Sequence, residues 1–311
     1  MTQPSSPDPT VPGRRPRIEI VEVGLRDGLQ NDPTLLDTPT KLAFLQRLLG
    51  AGARRLEVAS FVNPRRVPQM ADSAELMAAA PRLAGVRYIG LALNAKGCER
   101  AIAAQCDEIN YVICASDGFG VRNQGATTQE SLAEMKAVYA LSAAAKIPLS
   151  VTISVAFGCP FDGIVAPERV GAIAGQAASQ GAIEIALGDT IGVADPWAVR
   201  DIIARITPEI GRIPLRMHFH NTRNTALANA FAAIEAGVRI LDASCGGIGG
   251  CPFAPKATGN VASEDLVYML ERAGFETGLD LAGLIDTAQW LESAALMHPV
   301  PSMLAKAGGF P

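Results

Sequence analysis

"PLSVTISVAF" (148–157), "APERVGAIAGQAASQG" (166–181) and "IEIALGDTIG" (183–192) follow one another in a chain of 311 residues, and their order decides the fold. The first and third stretches are apolar along most of their length, which suits strands covered on both faces. The middle stretch has helical spacing and ends in Gly181, where a left-handed cap is expected before the next strand. Strands joined through a helix run parallel. The same succession fills the chain on either side. "IEIVEVGL" (18–25) leads to "TKLAFLQRLLGAG", "RLEVASF" to "QMADSAELMAAA", "VRYIGLALN" to "GCERAIAAQ" and "EINYVICAS" to "TTQESLAEMKAVYALSAAAK". Beyond the central unit, "IEIALGDTIG" leads to "DPWAVRDIIARITPEIG", "LRMHFHNT" to "ALANAFAAIEAG" and "RILDASCGG" to "SEDLVYMLERAG".

Eight such pairs predict an α/β fold, a closed (β/α)8 TIM barrel, with additional C-terminal helices between 278 and 311. A doubly wound open sheet is the alternative, and the lack of G-x-G-x-x-G after the first strand counts against its dinucleotide-binding form. Residues 18–311 read as a single barrel domain without an internal linker. Residues 1–17, "MTQPSSPDPTVPGRRPR", are rich in Pro and Ser and read as a disordered tail.

Composition removes several classes of function. With 49% hydrophobic and 19% charged residues and a net charge of -4, the chain offers no basic footprint for nucleic acid. No apolar run reaches the length of a membrane span, and the N-terminus has no secretory apolar segment. The six cysteines form no C-x-x-C pair and read as free thiols of a reducing compartment; most are small buried hydrophobes. With no targeting signal and no peroxisomal tripeptide in "GGFP", a cytoplasmic location is expected.

A TIM barrel does its chemistry at the C-terminal ends of its strands. Strand 1 ends in "GLRDGLQ", bringing Arg26 and Asp27 to that rim, although such a pair is also an ordinary surface ion pair at a turn. Strand 7 holds two of the chain's three histidines, His218 and His220, at i and i+2 on one face. Together with Asp27 they make a two-His, one-carboxylate set that suits a divalent cation with open positions. Asn260 in "TGN" offers an amide oxygen from beyond strand 8, next to both strands, or is a plain turn residue. Glu57 sits in the apolar "RLEVAS"; if it faces the barrel interior it must be paired, with Arg26 as the obvious partner. The alternative turns it toward a helix and pairs it with Arg54 or Arg55. Asp189 and Thr190, at the end of strand 6, are placed to orient a ligand histidine or an active-site water.

"GLRDGLQND", "LEVASFVNPRRVPQMAD", "GDTIG", "HFHNT", "ALAN" and "GGIGGCPFAPKATGNVASEDLVYML" together resemble 3-hydroxy-3-methylglutaryl-CoA lyase over residues 18 to 300. Arg-Asp and His-x-His are shared with the Claisen-type isopropylmalate and homocitrate synthases, whereas the "GGCP" loop favours the lyase. The resemblance implies cleavage of the C2–C3 bond of a 3-hydroxy-3-methylglutaryl-CoA-type thioester to acetyl-CoA and acetoacetate or a related keto acid. It also implies a homodimer and a divalent metal held by Asp27, His218, His220 and Asn260, Mg2+ or alternatively Mn2+. It makes Arg26 catalytic, Glu57 and Glu264 supporting carboxylates, and Cys251 the proton donor on a glycine-hinged loop; the chemistry of the cleavage favours His218 as carrier of the hydroxyl proton, with a carboxylate or water relay as the alternative. Gln30, Asp189, Thr190 and Asn123 are expected behind the ligands or against the substrate, and Arg122 with Asn123 at the phosphates of CoA or in a solvated loop.

The chain departs from the family pattern at Cys245 and Gly246, at Phe253, and at Asn221, Thr222, Arg223 and Asn224 after the histidines. The last group adds a cation and an amide near the metal, which bears on the acyl group accepted. The rival readings are a lyase for a longer 3-hydroxy-3-alkylglutaryl-CoA or another 3-hydroxyacyl-CoA, a Claisen condensation synthase, and a catalytically silent metal- or CoA-binding barrel.

Overall fold

The structure, a computed structural model, describes residues 16–250 and 259–310. Strands β1 (Glu19–Glu22), β2 (Arg55–Ser60), β3 (Arg87–Ala92), β4 (Glu108–Cys114), β5 (Leu149–Ser154), β6 (Glu184–Asp189), β7 (Leu215–Phe219) and β8 (Ile240–Ala243) close into a parallel barrel in sequence order. β8 pairs with β1 from Glu19↔Ile240 to Glu22↔Ala243, which closes the ring. The open-sheet alternative is excluded, and the expected helices lie between the strands. The C-terminal helices are present as Leu281–Trp290 and Leu304–Ala307.

Local chemistry sets the helix ends. Asp37 accepts a hydrogen bond from Thr40 N at the start of α1 (Thr38–Gly50), and Thr127 forms a capping box with Glu130 at the start of Thr128–Ala144. Gly181, at φ +102°, makes the turn into β6. Pro16 and Arg17 correct the expected tail boundary: Glu276 N donates to Pro16 O at 2.9 Å, and Ile18 N donates to Glu276 O at 3.0 Å, so these two residues belong to the folded chain. The rest of that tail lies outside the described residues.

Inside the barrel, at the N-terminal ends of the strands, lies a charged layer. Arg55 donates to Glu108 (2.6 Å) and Glu184 (2.8 Å), and the fully buried Arg216 donates to Asp242 at 3.1 Å. Arg216 Nε lies 2.9 Å from Glu184 Oε1 as an ion pair, at an angle too poor for a hydrogen bond. Buried charges persist only when paired in this way. The layer fixes Asp242 beneath the catalytic face.

Candidate active site

β1 ends at Glu22, three residues before the expected end, and Gly24–Gly28 wind as a single π turn. The N–H groups of Arg26, Asp27 and Gly28 all converge on Val23 O, at 3.1, 2.8 and 3.2 Å. This turn sets Arg26 and Asp27 side by side at the barrel mouth. It requires glycine at its ends: a Cβ on Gly24 would lie 2.7 Å from Glu22 Oε1, and one on Gly28 2.7 Å from Ile248 Cγ1.

Arg26 is not a surface residue. Its side chain is 11% exposed; Nη1 donates to Asp27 Oδ1 at 2.7 Å, and Nε and Nη2 donate to Glu57 Oε2 at 2.9 and 2.5 Å. Glu57 therefore faces the interior, as expected of a carboxylate paired with Arg26. Arg54 is spent on the carbonyls of Leu49 and Ala53, and Arg55 on the charged layer.

His218 on β7 and His220 just past its end project together, their ring centres 5.0 Å apart. Their Nε2 atoms lie 3.8 and 3.6 Å from Asp27 Oδ2, too far to be hydrogen-bonded to it. His218 Nδ1 lies 3.1 Å from Asp242 Oδ2, which orients its ring and fixes which nitrogen faces Asp27. Burial disfavours the His218 cation, but the Asp242 hydrogen bond and the charge of Asp27 outweigh it and raise the pKa. His220 is pushed down to about 4 by burial and by His218. Burial also opposes the charge on Asp27, yet Arg26, the two histidines and Asn260 hold its carboxyl well below the usual range.

Asn260 joins this group across the chain. It bridges to His220 in antiparallel fashion, and its Nδ2 donates to Asp27 Oδ2 at 2.8 Å and to Ile248 O at 3.0 Å. Its Oδ1 is buried with no hydrogen-bond partner.

One ligand atom from each of Asp27, His218 and His220 falls within 4.8 Å of the others. An ionised carboxylate and two imidazoles around one point, one of them kept neutral, fit a divalent cation, and the orphaned amide oxygen belongs to a side chain that touches the same Asp27.

The remaining expected residues divide. Gln30, Thr190 and Asn123 line a cavity of about 630 Å3 that also takes in Arg26, Asp27, His218 and His220. Asp189 does not orient a ligand histidine by hydrogen bond: its carboxylate, raised to about 6 by burial, accepts from the N–H groups of Val193 and Ala194 and so shapes the loop after β6. The orienting role belongs to Asp242. Glu264 lies away from the cavity, accepting from Gly246 N at 3.0 and 3.1 Å. Arg122 stacks on Phe161, 4.2 Å from the ring centre. Arg223 donates to the carbonyls of Ile191 and Gly192 (2.9 and 2.8 Å) and does not line the cavity. Cys251 and Phe253 lie outside the described residues; the chain beside them is held where Asn31 Nδ2 donates to Gly250 O at 2.8 Å. Cys245 is a buried packing residue, its thiol pushed up by burial.

Sequence reading missed Asp242, Asn110 and Glu22. Each is a polar residue in an apolar strand, the same signal that picked out Glu57. Glu22 Oε1 accepts from the N–H groups of Gly24 and Cys245, and burial raises Glu22 to about 7 and Glu264 to about 8. Both folded carboxyls thus keep a proton that the unfolded chain loses near the ordinary value of 4.5. The folded state binds more protons in that window, so stability is highest below it and falls as pH rises through the folded pKa values. Urea midpoints should decline between about pH 5 and pH 8. Glu264→Gln, which cannot ionise, should flatten the decline; an unchanged slope would remove Glu264 from this linkage.

The loop after β2 and the helix Ala95–Ala103 after β3 also line the cavity. Arg65, Arg66, Lys96 and Arg100 stand along this side, and none of the four is in an ion pair among the described residues. The HMGL-like family model matches residues 17–291. The chain belongs to the HMGL-like family. Among its relatives is the (R)-citramalyl-CoA lyase of Chloroflexus aurantiacus, 46% identical over 301 residues that cover 94% of this chain and 95% of that one. The mitochondrial hydroxymethylglutaryl-CoA lyase of Gallus gallus is 41% identical over 89% of this chain and 93% of its own. A solved HMG-CoA lyase from Acinetobacter baumannii, in complex with coenzyme A and 3-methylmalate, superposes with a TM-score of 0.90 at 37% identity, covering 95% of this chain and 98% of that one. This member of the HMGL-like family is, like those relatives, a carbon–carbon lyase.

Proposed function

We propose that the chain cleaves the C2–C3 bond of a 3-hydroxy-3-methyl dicarboxylic acyl-CoA, releasing acetyl-CoA and a keto acid. The observation that carries this reading is the juxtaposition of Arg26, held by Glu57, with the Asp27–His218–His220 cluster on the wall of one cavity. A divalent cation held by Asp27, His218, His220 and Asn260 would act as Lewis acid toward the C3 oxygen and fix the substrate's orientation.

The protein's own groups supply the rest. His218 is the histidine whose basicity is raised, and Asp242 behind it stabilises an imidazolium; its Nε2 takes the hydroxyl proton. That nitrogen also faces the cation site, where it would help to hold the cation. His220, with its low pKa, stays neutral as a ligand. Arg26 turns a guanidinium toward the cavity, where it neutralises the oxygen of the departing thioester enolate. Cys251 is assigned the proton delivered to the enolate carbon, because a thiol, with a reference pKa of about 8.5, can give up a proton near neutrality.

The coenzyme's phosphates are assigned to Arg65, Arg66, Lys96 and Arg100, of which Arg100 also donates to the carbonyls of Phe61 and Val62; Arg122 does not line the cavity. Arg66→Ala combined with Arg100→Ala should raise KM for the CoA ester about tenfold, the equivalent of about 1.4 kcal/mol. The KM of the matching pantetheine ester, which lacks the nucleotide, should not move. Equal effects on both esters would place the phosphates elsewhere.

Two acyl groups compete. Hydroxymethylglutaryl is the group named for the relatives at 41% and 38% identity, and citramalyl the group named for the relative at 46%. The coenzyme-A complex of the Acinetobacter HMG-CoA lyase contains 3-methylmalate, a shorter hydroxy dicarboxylate, so a lyase of that name also holds the shorter arm. The ratio of kcat/KM for the two esters decides: acetyl-CoA with acetoacetate supports the first, acetyl-CoA with pyruvate the second. Release of acetyl-CoA from neither would overturn the reading.

A further inference from the structure

We propose that Asn110, backed by Thr152, is a positioning residue for Arg26: it holds Glu57 in a one-oxygen grip that keeps the guanidinium turned toward the cavity. The inference rests on the reading of Arg26 as a catalytic residue.

A carboxylate and a guanidinium left to themselves favour two parallel hydrogen bonds, one to each oxygen. Glu57 does not do this. Its Oε2 alone takes both Nε and Nη2 of Arg26, while its Oε1 accepts from Asn110 Nδ2 at 2.9 Å. Asn110 stands on β4, two strands away from Glu57 on β2, and both are buried, 2% and 1% exposed. The ionised carboxylate needs a donor, which fixes Asn110 with its NH2 toward Glu57 and its Oδ1 outward. That Oδ1 accepts from Thr152 Oγ1 at 2.9 Å, on neighbouring β5.

The result is a chain of polar contacts, Asp27–Arg26–Glu57–Asn110–Thr152, running from the turn after β1 across β2 and β4 to β5. Arg26, Asp27, Asn110 and Thr152 all line the cavity. The guanidinium is held between Glu57 on one side and Asp27 on the other. Without the Asn110 amide, Oε1 is a buried carboxylate oxygen with no donor, which is costly. Rotation of Glu57 into a two-oxygen pair with Arg26 satisfies it and draws the guanidinium toward β2, away from Asp27 and the cavity.

The test uses the full-length protein loaded with Mg2+ in three variants, Asn110→Leu, Thr152→Val and Thr152→Ser, together with the crystal structure of the first. Asn110→Leu should lower kcat about 10²-fold, the cost of misplacing a reacting group by about 1 Å. KM should stay within about twofold of the parent, because the coenzyme contacts do not change. Thr152→Val, which removes only the hydroxyl, should lower kcat by about three- to tenfold, as expected for one hydrogen bond, and Thr152→Ser should restore most of that loss. In the crystal Glu57 should give one oxygen to each arm of the Arg26 fork.

A rise in KM at constant kcat would make Asn110 a substrate contact and overturn the proposal. So would a parental kcat in Asn110→Leu, or a one-oxygen grip retained in its crystal structure. Should Asn110→Leu fail to fold, the Thr152 pair decides by its difference in kcat. Should the parent protein release no acetyl-CoA from any ester, the lyase reading fails, and the geometry of Glu57 in the variant crystal still decides whether Asn110 positions Arg26.

Discussion

Arg26→Gln is expected to lower kcat by about 10²- to 10³-fold, the usual cost of losing one charge-stabilising donor at a developing oxyanion. The replacement keeps an amide donor but removes the charge and the fork. Three of the arginine's N–H groups are committed to protein carboxylates, on Glu57 and Asp27, and these contacts aim the rest of the guanidinium. Lysine does not substitute for it, because a single ammonium cannot hold both carboxylates at the arginine's geometry. Arg26→Lys should therefore lie nearer to Arg26→Gln than to the parent. The variant also leaves Glu57 buried without its counter-charge, a situation that costs about 3–5 kcal/mol of stability. Thermal unfolding run beside the kinetics separates the two effects: kcat of the folded fraction should fall regardless of the loss in melting temperature. A parental kcat in either variant would take Arg26 out of the reaction.

His220→Ala and Asp27→Asn should weaken divalent-cation binding by at least about 10²-fold, more than the loss of a group behind the ligands. His220 is a ready ligand because burial and His218 have pushed its pKa to about 4, so no proton must be displaced from it near neutrality. Asp27 stays ionised next to Arg26 and supplies the negative charge of the set. Asp242→Asn is the graded control: it keeps the shape but alters the hydrogen bond to His218 Nδ1 and should cost about tenfold. Mn2+ titration followed by electron paramagnetic resonance reads these affinities without turnover. Unchanged affinity in both His220→Ala and Asp27→Asn would remove them from the ligand set.

The barrel was legible because each strand carries a continuous apolar run and each helix a different period; eight repeats of that contrast favour a closed ring, and the pairing of β1 with β8 excludes the open sheet. The paired histidines were legible for a local reason, since i and i+2 on a strand share a face whatever the register. Glu57 was legible as a charge in an apolar run. Asp242, Asn110 and Glu22 carry the same signal but became meaningful only once the ring closed: β7 lies beside β8, and the inward face of β4 looks toward that of β2. The contacts of Asp189 and Arg223 were not legible because they depend on where the backbone N–H and C=O groups of the neighbouring turns point. Asp189 satisfies the N–H groups of Val193 and Ala194, and Arg223 the carbonyls of Ile191 and Gly192. The π turn over Gly24–Gly28 has no sequence signature beyond its two glycines, and it is what sets Arg26 and Asp27 side by side.

The most direct test of the account is mass spectrometry of the purified protein, stripped of metal with a chelator and then reloaded with Mg2+ or Mn2+, acting on hydroxymethylglutaryl-CoA and (R)-citramalyl-CoA. The reloaded protein should release acetyl-CoA and a stoichiometric keto acid from at least one ester, and the stripped protein none. Equal release with and without metal, or intact esters under both conditions, would contradict it.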